Sequence, residues 1–330
     1  MKVAIIGAGM AGLVCARELS SHHDVSLFDK ARGPAGRMST RRAADDLRFD
    51  HGAQYFTARD PRFRQQVEAW IDAGAVAAWE GPIGVLQCGE ITPTEDPPVR
   101  YVGCPAMNAP VKRLSEGLNL QLLRKIETIE RRDALWRLTS DDGEAYGPFD
   151  ALICTTPPAQ AADLLRASAP GVAAQLDPIV LNPCWATLVQ FSQRLPLSID
   201  GAFVHDSPLS WIARNSSKPG RDPSRDCWVL HASQAWSLRH FEQSPAEIAP
   251  QMLAALAAAA QISLPGIAYQ TAHRWRYSIP PQPLSVGCVA DRELRLAVGG
   301  DWCQQAKVEG AYLSGLSLAE ATTAWENDLA

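Results

Sequence analysis

The sequence lacks any CxxC pair and any cluster of histidines, although it contains eight cysteines and seven histidines in 330 residues. Such scattered cysteines argue against a metal site and against a disulfide framework, and they are typical of reduced thiols in a cytoplasmic protein. The sequence also has no uninterrupted apolar run of about 20 residues, so we expect no membrane-spanning helix. The apolar segment after Lys2 has the composition of a secretory signal, but its glycines favour a buried strand followed by a turn.

Positive charge is in slight deficit, because 31 Lys and Arg residues face 36 Asp and Glu residues, giving a formal net charge of −5. This mild acidity argues against a nucleic-acid-binding protein, which needs a basic face. The net charge does not exclude a local basic pocket that binds a phosphorylated small molecule. With 46% hydrophobic residues, the chain is long enough for about two folded domains. We expect a monomer or a weak homodimer.

A strand, a glycine-rich turn and a helix open the chain. The β-branched run at 3–6 predicts a buried parallel strand, and the turn that follows has the pattern GxGxxG. Gly7 permits the tight turn, Gly9 lets the backbone approach a pyrophosphate, and Gly12 lets the helix pack on the strand. Asp29, at the end of the next predicted strand, is suited to bind ribose hydroxyls. Together these features predict a dinucleotide-binding βαβ unit.

The middle of the chain is β-rich, and the pattern of the N-terminal unit returns near the C-terminus. We predict strands at 122–130, 134–139, 151–155, 185–193, 209–213, 227–231 and 271–277, most of them in a second, mixed sheet. A strand at 296–299 and a helix from Val308 would complete the first domain. The predicted α/β fold therefore has a discontinuous cofactor domain and an inserted substrate domain. Their predicted ranges are 1–60, 105–156 and 280–330 for the first, and 61–104 and 157–279 for the second.

Two further segments resemble the FAD signatures of the glutathione-reductase-like superfamily, in its amine-oxidase branch. In residues 29–38 an acidic residue precedes Ala35-Gly36-Arg37, where that branch has Gly-Gly-Arg. In residues 298–311 an Asp after a strand precedes a second helix. The resemblance implies a Rossmann-type three-layer FAD-binding domain, similar to p-hydroxybenzoate hydroxylase and amine oxidases, with non-covalent FAD. The FAD contacts that it implies are Gly7, Gly9, Met10, Ala11, Gly12, Asp29, Lys30, Arg37, Met38, Gln54, Tyr55, Ile126, Asp301, Glu309, Gly310 and Ala311.

Five blocks narrow this resemblance to the bacterial renalase family. They are residues 31–34, 36–42, 49–56, 211–221 and 273–277. The resemblance implies FAD-dependent oxidation of isomeric dihydronicotinamides, with the hydride at the 2- or 6-position, to NAD(P)+. Oxygen would take the electrons and become hydrogen peroxide. In that family the segment containing His51, Gln54 and Tyr55 lies beside the flavin ring.

The sequence offers no convincing general base or nucleophile triad, which suits direct hydride transfer from a dihydropyridine. Typical amine oxidases place a lysine near flavin N5, and the corresponding predicted strand at 271–277 has none. Two other interpretations stay open. A flavin amine oxidase could use an aromatic cage of Tyr55, Trp275 and Tyr277, and a binding protein could keep the fold without redox activity.

Two groups of residues are candidates for the substrate side. Trp211, Trp275 and Tyr277 could stack on the nicotinamide or form a wall beside it. The Pro/Gly/Ser loop containing Arg214, Lys218, Arg221 and Arg225 is basic, and we hypothesise that Arg214 and Arg221 contact the phosphates of a dinucleotide substrate. A solvated run of charges is an equally good interpretation of this loop.

Overall fold

The computed structural model describes residues 1–43 and 46–325. Its strands are β1 (Lys2–Ile6), β2 (Asp24–Asp29), β3 (Thr40–Arg42), β4 (Arg48–Asp50), β5 (Val76–Ala78), β6 (Ile83–Gln87), β7 (Glu90–Pro93), β8 (Tyr101–Gly103), β9 (Leu120–Leu122), β10 (Ile126–Arg132), β11 (Leu135–Ser140), β12 (Ala145–Phe149), β13 (Ala151–Cys154), β14 (Asn182–Phe191), β15 (Gly201–Val204), β16 (Leu209–Arg214), β17 (Asp226–Ala232), β18 (Ile267–Ile279), β19 (Val289–Asp291) and β20 (Leu296–Val298). Its helices are α1 (Met10–Leu19), α2 (Pro61–Asp72), α3 (Ala109–Ser115), α4 (Pro158–Leu165), α5 (Pro170–Leu176), α6 (Gln234–Arg239), α7 (Pro245–Ala260), α8 (Asp301–Gln304) and α9 (Val308–Ala324). None of the helices in these ranges is both long and apolar enough to cross a bilayer.

The first sheet brings both ends of the chain together. Its strand order is β19-β20-β13-β1-β2-β9, and every neighbouring pair is parallel except β19 with β20. Side chains of β1 alternate between two cores: Val3 and Ile5 pack with α1 and α9, whereas Ala4 and Ile6 pack with α4, α5 and the β10-β11-β12 sheet. Alternation of this kind gives a sheet covered on both faces. The predicted three-layer α/β domain is therefore confirmed.

The second sheet has seven strands in the order β18-β14-β17-β16-β15-β6-β7. Its pairs are antiparallel except for β15 with β6, so it is mixed, as predicted. Helix α7 packs on one face through residues such as Ile248, Met252 and Leu256. Its N-terminus carries a capping box, in which Ser244 and Glu247 exchange hydrogen bonds with each other's backbone.

The predicted strand at 122–130 is wrong, because it is two strands in different sheets. Leu123 lies between β9 and β10 with φ 58°, a left-handed conformation that ends an extended strand, and its side chain is exposed. β9 then completes the parallel sheet, while β10 pairs with β11 in the three-stranded sheet. The strand predicted at 151–155 is observed as β13, and it lies in the first sheet beside β1, within the range predicted for the cofactor domain.

Two segments predicted for the substrate domain pack against the cofactor domain instead. Helices α4 and α5 bury Ala161, Leu165 and Leu176 in the core beneath β1. Helix α2 buries Phe63 and Trp70 in the core that holds α1 and α9. The apolar faces of these helices complete the layers of the first sheet, so the structural border differs from the predicted one at 61–72 and 157–176.

Candidate functional site

The glycine turn after β1 is tightly packed at two positions and open at the third. A Cβ at Gly12 would lie 1.9 Å from the Gly7 carbonyl oxygen, and Gly7 has φ +110°. A Cβ at Gly9 would meet no atom within 4 Å. Gly9 is also the N-cap of α1, and no side chain caps that helix. The first-turn N–H groups and the open space at Gly9 therefore fit a diphosphate at the start of α1.

Asp29 fixes this turn from the end of β2. Its carboxylate accepts hydrogen bonds from the backbone N–H groups of Ala8 and Ala31, both at 2.7 Å. Each carboxylate oxygen can accept a second hydrogen bond, so ribose hydroxyls can still bind there. Lys30, which follows, is exposed.

The signatures from the two ends of the chain meet through an ion pair. Asp301, which is 6% exposed, accepts two hydrogen bonds from the Arg37 guanidinium, at 2.6 and 2.9 Å. Arg37 also donates to the Ser278 carbonyl oxygen at 2.7 Å. A Cβ at Gly36 would lie 3.5 Å from the Gly9 Cα, so the segment of Arg37 borders the glycine turn. The three signatures thus adjoin one another, and their donors and acceptors fit a flavin dinucleotide.

The remaining predicted cofactor contacts lie in different environments. The carboxylate of Glu309, in the first turn of α9, is buried and accepts the N–H groups of Arg59 and Asp60 at 2.6 and 2.7 Å. It therefore holds a loop in place rather than facing outward. A Cβ at Gly310 would lie 2.1 Å from the Gln305 carbonyl oxygen, which explains the glycine there. The other members of the set are Met10, Ala11, Met38 and Ile126, which are buried, and Ala311, which is half-buried.

Ala35, which stands where the amine-oxidase branch has glycine, adopts a backbone conformation that disfavours a side chain. It has φ 144° and ψ −22°, it is 2% exposed, and its N–H donates to the Ala8 carbonyl oxygen at 3.0 Å. Conformations of this kind cost about 1–3 kcal/mol in a non-glycine residue. The backbone beside the glycine turn is therefore strained at Ala35.

We expect Ala35→Gly to raise the free energy of unfolding by about 1 kcal/mol, because relief of strain exceeds the extra entropy of glycine in the unfolded chain. Denaturant unfolding of the two proteins measures this change. Ala254→Gly is the matched control, since Ala254 is exposed inside α7, and it should lower stability by about 1 kcal/mol. Destabilisation by both substitutions would contradict the account of Ala35.

A row of side chains crosses the second sheet on one face. His273 of β18 and His231 of β17 are both paired with Ala186 of β14, and His231 is in turn paired with Trp211 of β16. Trp211 is paired with Phe203 of β15. Directly paired residues present their side chains on the same face, so imidazoles and aromatic rings form one continuous surface.

The segment 51–55, predicted to lie beside the flavin ring, packs on this surface. The His51 carbonyl oxygen accepts hydrogen bonds from Trp275 Nε1 at 2.9 Å and from His231 Nε2 at 3.1 Å. The His51 ring lies 4.7 Å from that of His273 and 4.8 Å from that of Trp275. Tyr55 contacts Trp211, with ring centroids 5.4 Å apart. The predicted residues His51, Tyr55, Trp211 and Trp275 are therefore brought together.

This surface combines neutral imidazoles with cations. Burial, followed by the neighbouring His273 and Arg41, lowers the pKa of His51 to about 3. Burial also lowers the pKa values of His231 and His273 to about 4, so all three rings are neutral at physiological pH. Arg41 Nη1 lies 3.3 Å from His273 Nδ1, and the Arg100 guanidinium lies 5.3 Å from the centre of the Tyr55 ring.

Three buried nitrogens at this surface have no hydrogen-bond partner within the described residues. They are His51 Nδ1, Trp211 Nε1 and Arg100 Nε. A buried polar atom without a partner costs stability, so unpaired groups that share one surface indicate a place for a ligand.

The structure corrects the hypothesis that Arg214 and Arg221 contact substrate phosphates. Arg214 is 1% exposed and pairs with Asp226 at 2.5 Å and with Asp200 at 3.2 Å. Arg221 is also shielded from solvent and pairs with Asp50 at 2.5 Å. Both guanidiniums are already paired with buried carboxylates, so neither is available to a phosphate. Their role is to hold the sheet and the loops that support the site.

Tyr277 is likewise separated from the predicted aromatic cage. It packs against the core beneath β1, and no ring contact joins it to Tyr55 or Trp275 in the described part of the chain. Sequence reasoning missed His273, His231 and Arg100 as members of the site. His273 lies on the same strand as Trp275, and His231 lies on the strand that pairs with the strand of Trp211. These placements were the only signal in the sequence, because the strand register is what shows that both histidines share one face.

Two family comparisons match successive parts of the chain. Residues 5–70 match the NAD(P)-binding Rossmann-like domain, and residues 96–323, more than half of the chain, match the family described as flavin containing amine oxidoreductase. Among solved structures, a protein assigned as a protoporphyrinogen oxidase from Exiguobacterium sp. 255-15 has a TM-score of 0.76 at 13% identity, covering 99% of this chain and 98% of its own. A reduced UDP-galactopyranose mutase has a TM-score of 0.78 at 12% identity, covering 98% and 94%. At such identities the structural likeness shows the fold alone.

Proposed function

The chain belongs to the flavin containing amine oxidoreductase family, and from this premise we propose that it is an FAD-dependent oxidase of isomeric dihydronicotinamides. The substrates would be 2-dihydro- or 6-dihydro-NAD(P), and the product would be NAD(P)+. When bound, the flavin supplies a hydride acceptor that O2 reoxidises, with release of hydrogen peroxide.

The residues that would hold FAD are those of the three adjoining signatures. The N-terminus of α1 at Gly9 fits the diphosphate, while Asp29 and Asp301 offer carboxylate oxygens to hydroxyl groups. FAD would be bound non-covalently. Cys303 is the thiol nearest to Asp301 in the sequence, and it would form no covalent bond to the flavin. This cysteine is fully buried, and burial raises the pKa of its thiol to about 12, so it stays protonated and unreactive.

The observation that carries the proposed substrate is the positive charge at the surface of 51–55. Arg41 and Arg100 contact that surface, and Lys218 and Arg221 lie behind it with one carboxylate, that of Asp50. Like charges repel, so this surface disfavours a protonated amine and favours an anionic dinucleotide.

The neutral imidazoles suit a reaction that needs no proton removal. A dihydropyridine gains aromaticity when it loses hydride, so the protein has only to align the ring and exclude water. Tyr55 and Trp211 offer flat apolar rings, and the unpaired nitrogens of His51 and Trp211 offer hydrogen bonds to a carboxamide.

Anaerobic mixing of the FAD-loaded protein with candidate substrates tests this function. We expect rapid loss of the flavin's visible absorbance with 2-dihydro- or 6-dihydro-NAD, which borohydride reduction of NAD+ yields, because the proposed site aligns C2 or C6 of the dihydropyridine, rather than C4, with the flavin. Ordinary NADH and small amines are the controls, and they should leave the colour unchanged on that timescale. Bleaching by primary amines alone would instead establish the amine oxidation that the family description favours.

A further inference from the structure

A lysine with no access to solvent lies behind the segment 51–55. Lys218 follows β16, and its side chain is wholly buried. Its Nζ lies 3.4 Å from Asp50 Oδ2, 3.2 Å from Gln54 Oε1 and 3.4 Å from Asn215 Oδ1. Lysine is seldom buried unless it has a dedicated partner, so these contacts need an explanation beyond solubility.

Two cations share the single carboxylate of this cluster. Arg221 Nη2 contacts the same Asp50 oxygen at 2.5 Å, so Lys218, Arg221 and Asp50 together carry one net positive charge. Burial alone would raise the pKa of Asp50, but Lys218 and Arg221 outweigh it and lower that pKa to about 2. The carboxylate therefore stays ionised, and the surplus charge belongs to the cations.

Gln54 connects this cluster to the surface of the site. Its amide oxygen faces Lys218, while its Nε2 donates to the backbone carbonyl oxygens of Asp50 and Gly52. Lys218 thus determines the orientation of the Gln54 amide at the base of the segment. Lys218 Nζ also lies 5.6 Å from the centre of the Trp79 ring. Its positive charge contributes to the lowered pKa of His231, which burial lowers most.

We propose that Lys218 is a positioning residue that holds Gln54 and, with Arg221, maintains a positive potential behind the flavin ring, which stabilises negative charge on the reduced flavin. The proposal rests on the flavin site described above, since 51–55 must lie beside the ring. It assigns the role of a cationic group near the flavin to a loop between β16 and β17 rather than to a strand facing the substrate.

The positive electrostatic potential behind the flavin should depend on pH. Burial lowers the pKa of Lys218 to about 8, an effect that Asp50 opposes and Arg221 reinforces. The positive charge is therefore complete well below pH 8 and is lost as the pH rises through that value. The stabilisation of reduced flavin should follow the same course.

The midpoint potential of the bound flavin, measured by anaerobic dye-coupled titration, tests the proposal without reference to turnover. We expect Lys218→Met and Arg221→Met each to shift the potential to more negative values at neutral pH, because each leaves the cluster uncharged. The difference between wild type and Lys218→Met should narrow as the pH rises above 8. Lys112→Met is the matched control, since Lys112 is exposed on α3. The midpoint potential of the flavin in this variant should equal that in wild type.

An unchanged potential in either neutralising variant would overturn the proposal while leaving the proposed function intact. Should Lys218→Met fail to fold, Arg221→Met decides alone, because it removes the same charge and retains the lysine. Wild-type protein that takes up no flavin would overturn the proposed function and this proposal together. The two failures are therefore distinguishable from the visible spectrum of the purified protein.

Discussion

Gly12→Ala should lower the free energy of unfolding by about 3 kcal/mol or more and reduce the yield of folded protein in cells. The added Cβ would lie 1.9 Å from the Gly7 carbonyl oxygen and 2.7 Å from Thr155 Oγ1, so either the helix or the parallel sheet must move. Because Thr155 Oγ1 also donates to that carbonyl oxygen at 2.8 Å, the displacement would break a contact between β13 and the turn. Soluble yield and denaturant unfolding measure the effect.

Gly9→Ala provides the contrast, since the same methyl group is added three residues earlier in the same turn. Its Cβ would enter open space, and φ −81° is accessible to alanine, so the loss of stability should be about 1 kcal/mol or less. The methyl group would instead occupy the approach of the diphosphate and weaken FAD binding at least about tenfold. Equal retention of FAD by Gly9→Ala and wild type would place the cofactor elsewhere.

Asp301→Ala should cost about 2–3 kcal/mol of stability and release FAD. The substitution leaves Arg37 without its bidentate partner, and breaking a buried pair costs about 3–5 kcal/mol. We expect a loss of stability below that range because the Arg37 side chain is 35% exposed, so water compensates for part of the lost interaction. Thermal unfolding of the flavin-free proteins and the ratio of flavin to protein after purification measure the two effects separately.

Asp177→Ala is the matched control for this pair. Asp177 also binds an arginine, Arg166, with both carboxylate oxygens, at 2.9 and 3.1 Å, but both side chains are largely exposed. Its removal should leave both the unfolding midpoint and the flavin content close to wild type. An Asp301→Ala protein as stable and as yellow as Asp177→Ala would contradict the role assigned to the buried pair.

The glycine turn after β1 was predictable from sequence because its signal is local. Gly7, Gly9 and Gly12 are close together in the chain, and the strand before them and the helix after them can be recognised from periodicity. Asp29 and Asp301 end or follow parallel strands, whose carboxyl ends meet at one edge of the sheet, but the ion pair between Arg37 and Asp301 was not predicted.

The substrate side was less predictable because its charged residues pair with partners distant in the chain. The basic loop around Arg214 and Arg221 has the composition of a phosphate site, but Asp50, which binds Arg221, lies 171 residues away from it in the chain. Nothing in the spacing of single residues reveals such a partner. In the same way, His231 and His273 become members of one surface only through the register of β14 with β17 and β18.

The joining of both chain ends in one sheet sets the order of events during synthesis. β1, β2 and β13 can pair once residue 154 has left the ribosome, but β20 begins about 140 residues later and α9 is complete only about 170 residues later. At about 5–20 residues per second, the face of α1 that α9 covers stays bare for roughly 10–30 s. Gly315 of α9 packs so closely that a Cβ there would lie 2.6 Å from the Ala11 carbonyl oxygen. The apolar face of α1 thus stays uncovered during synthesis until α9 emerges.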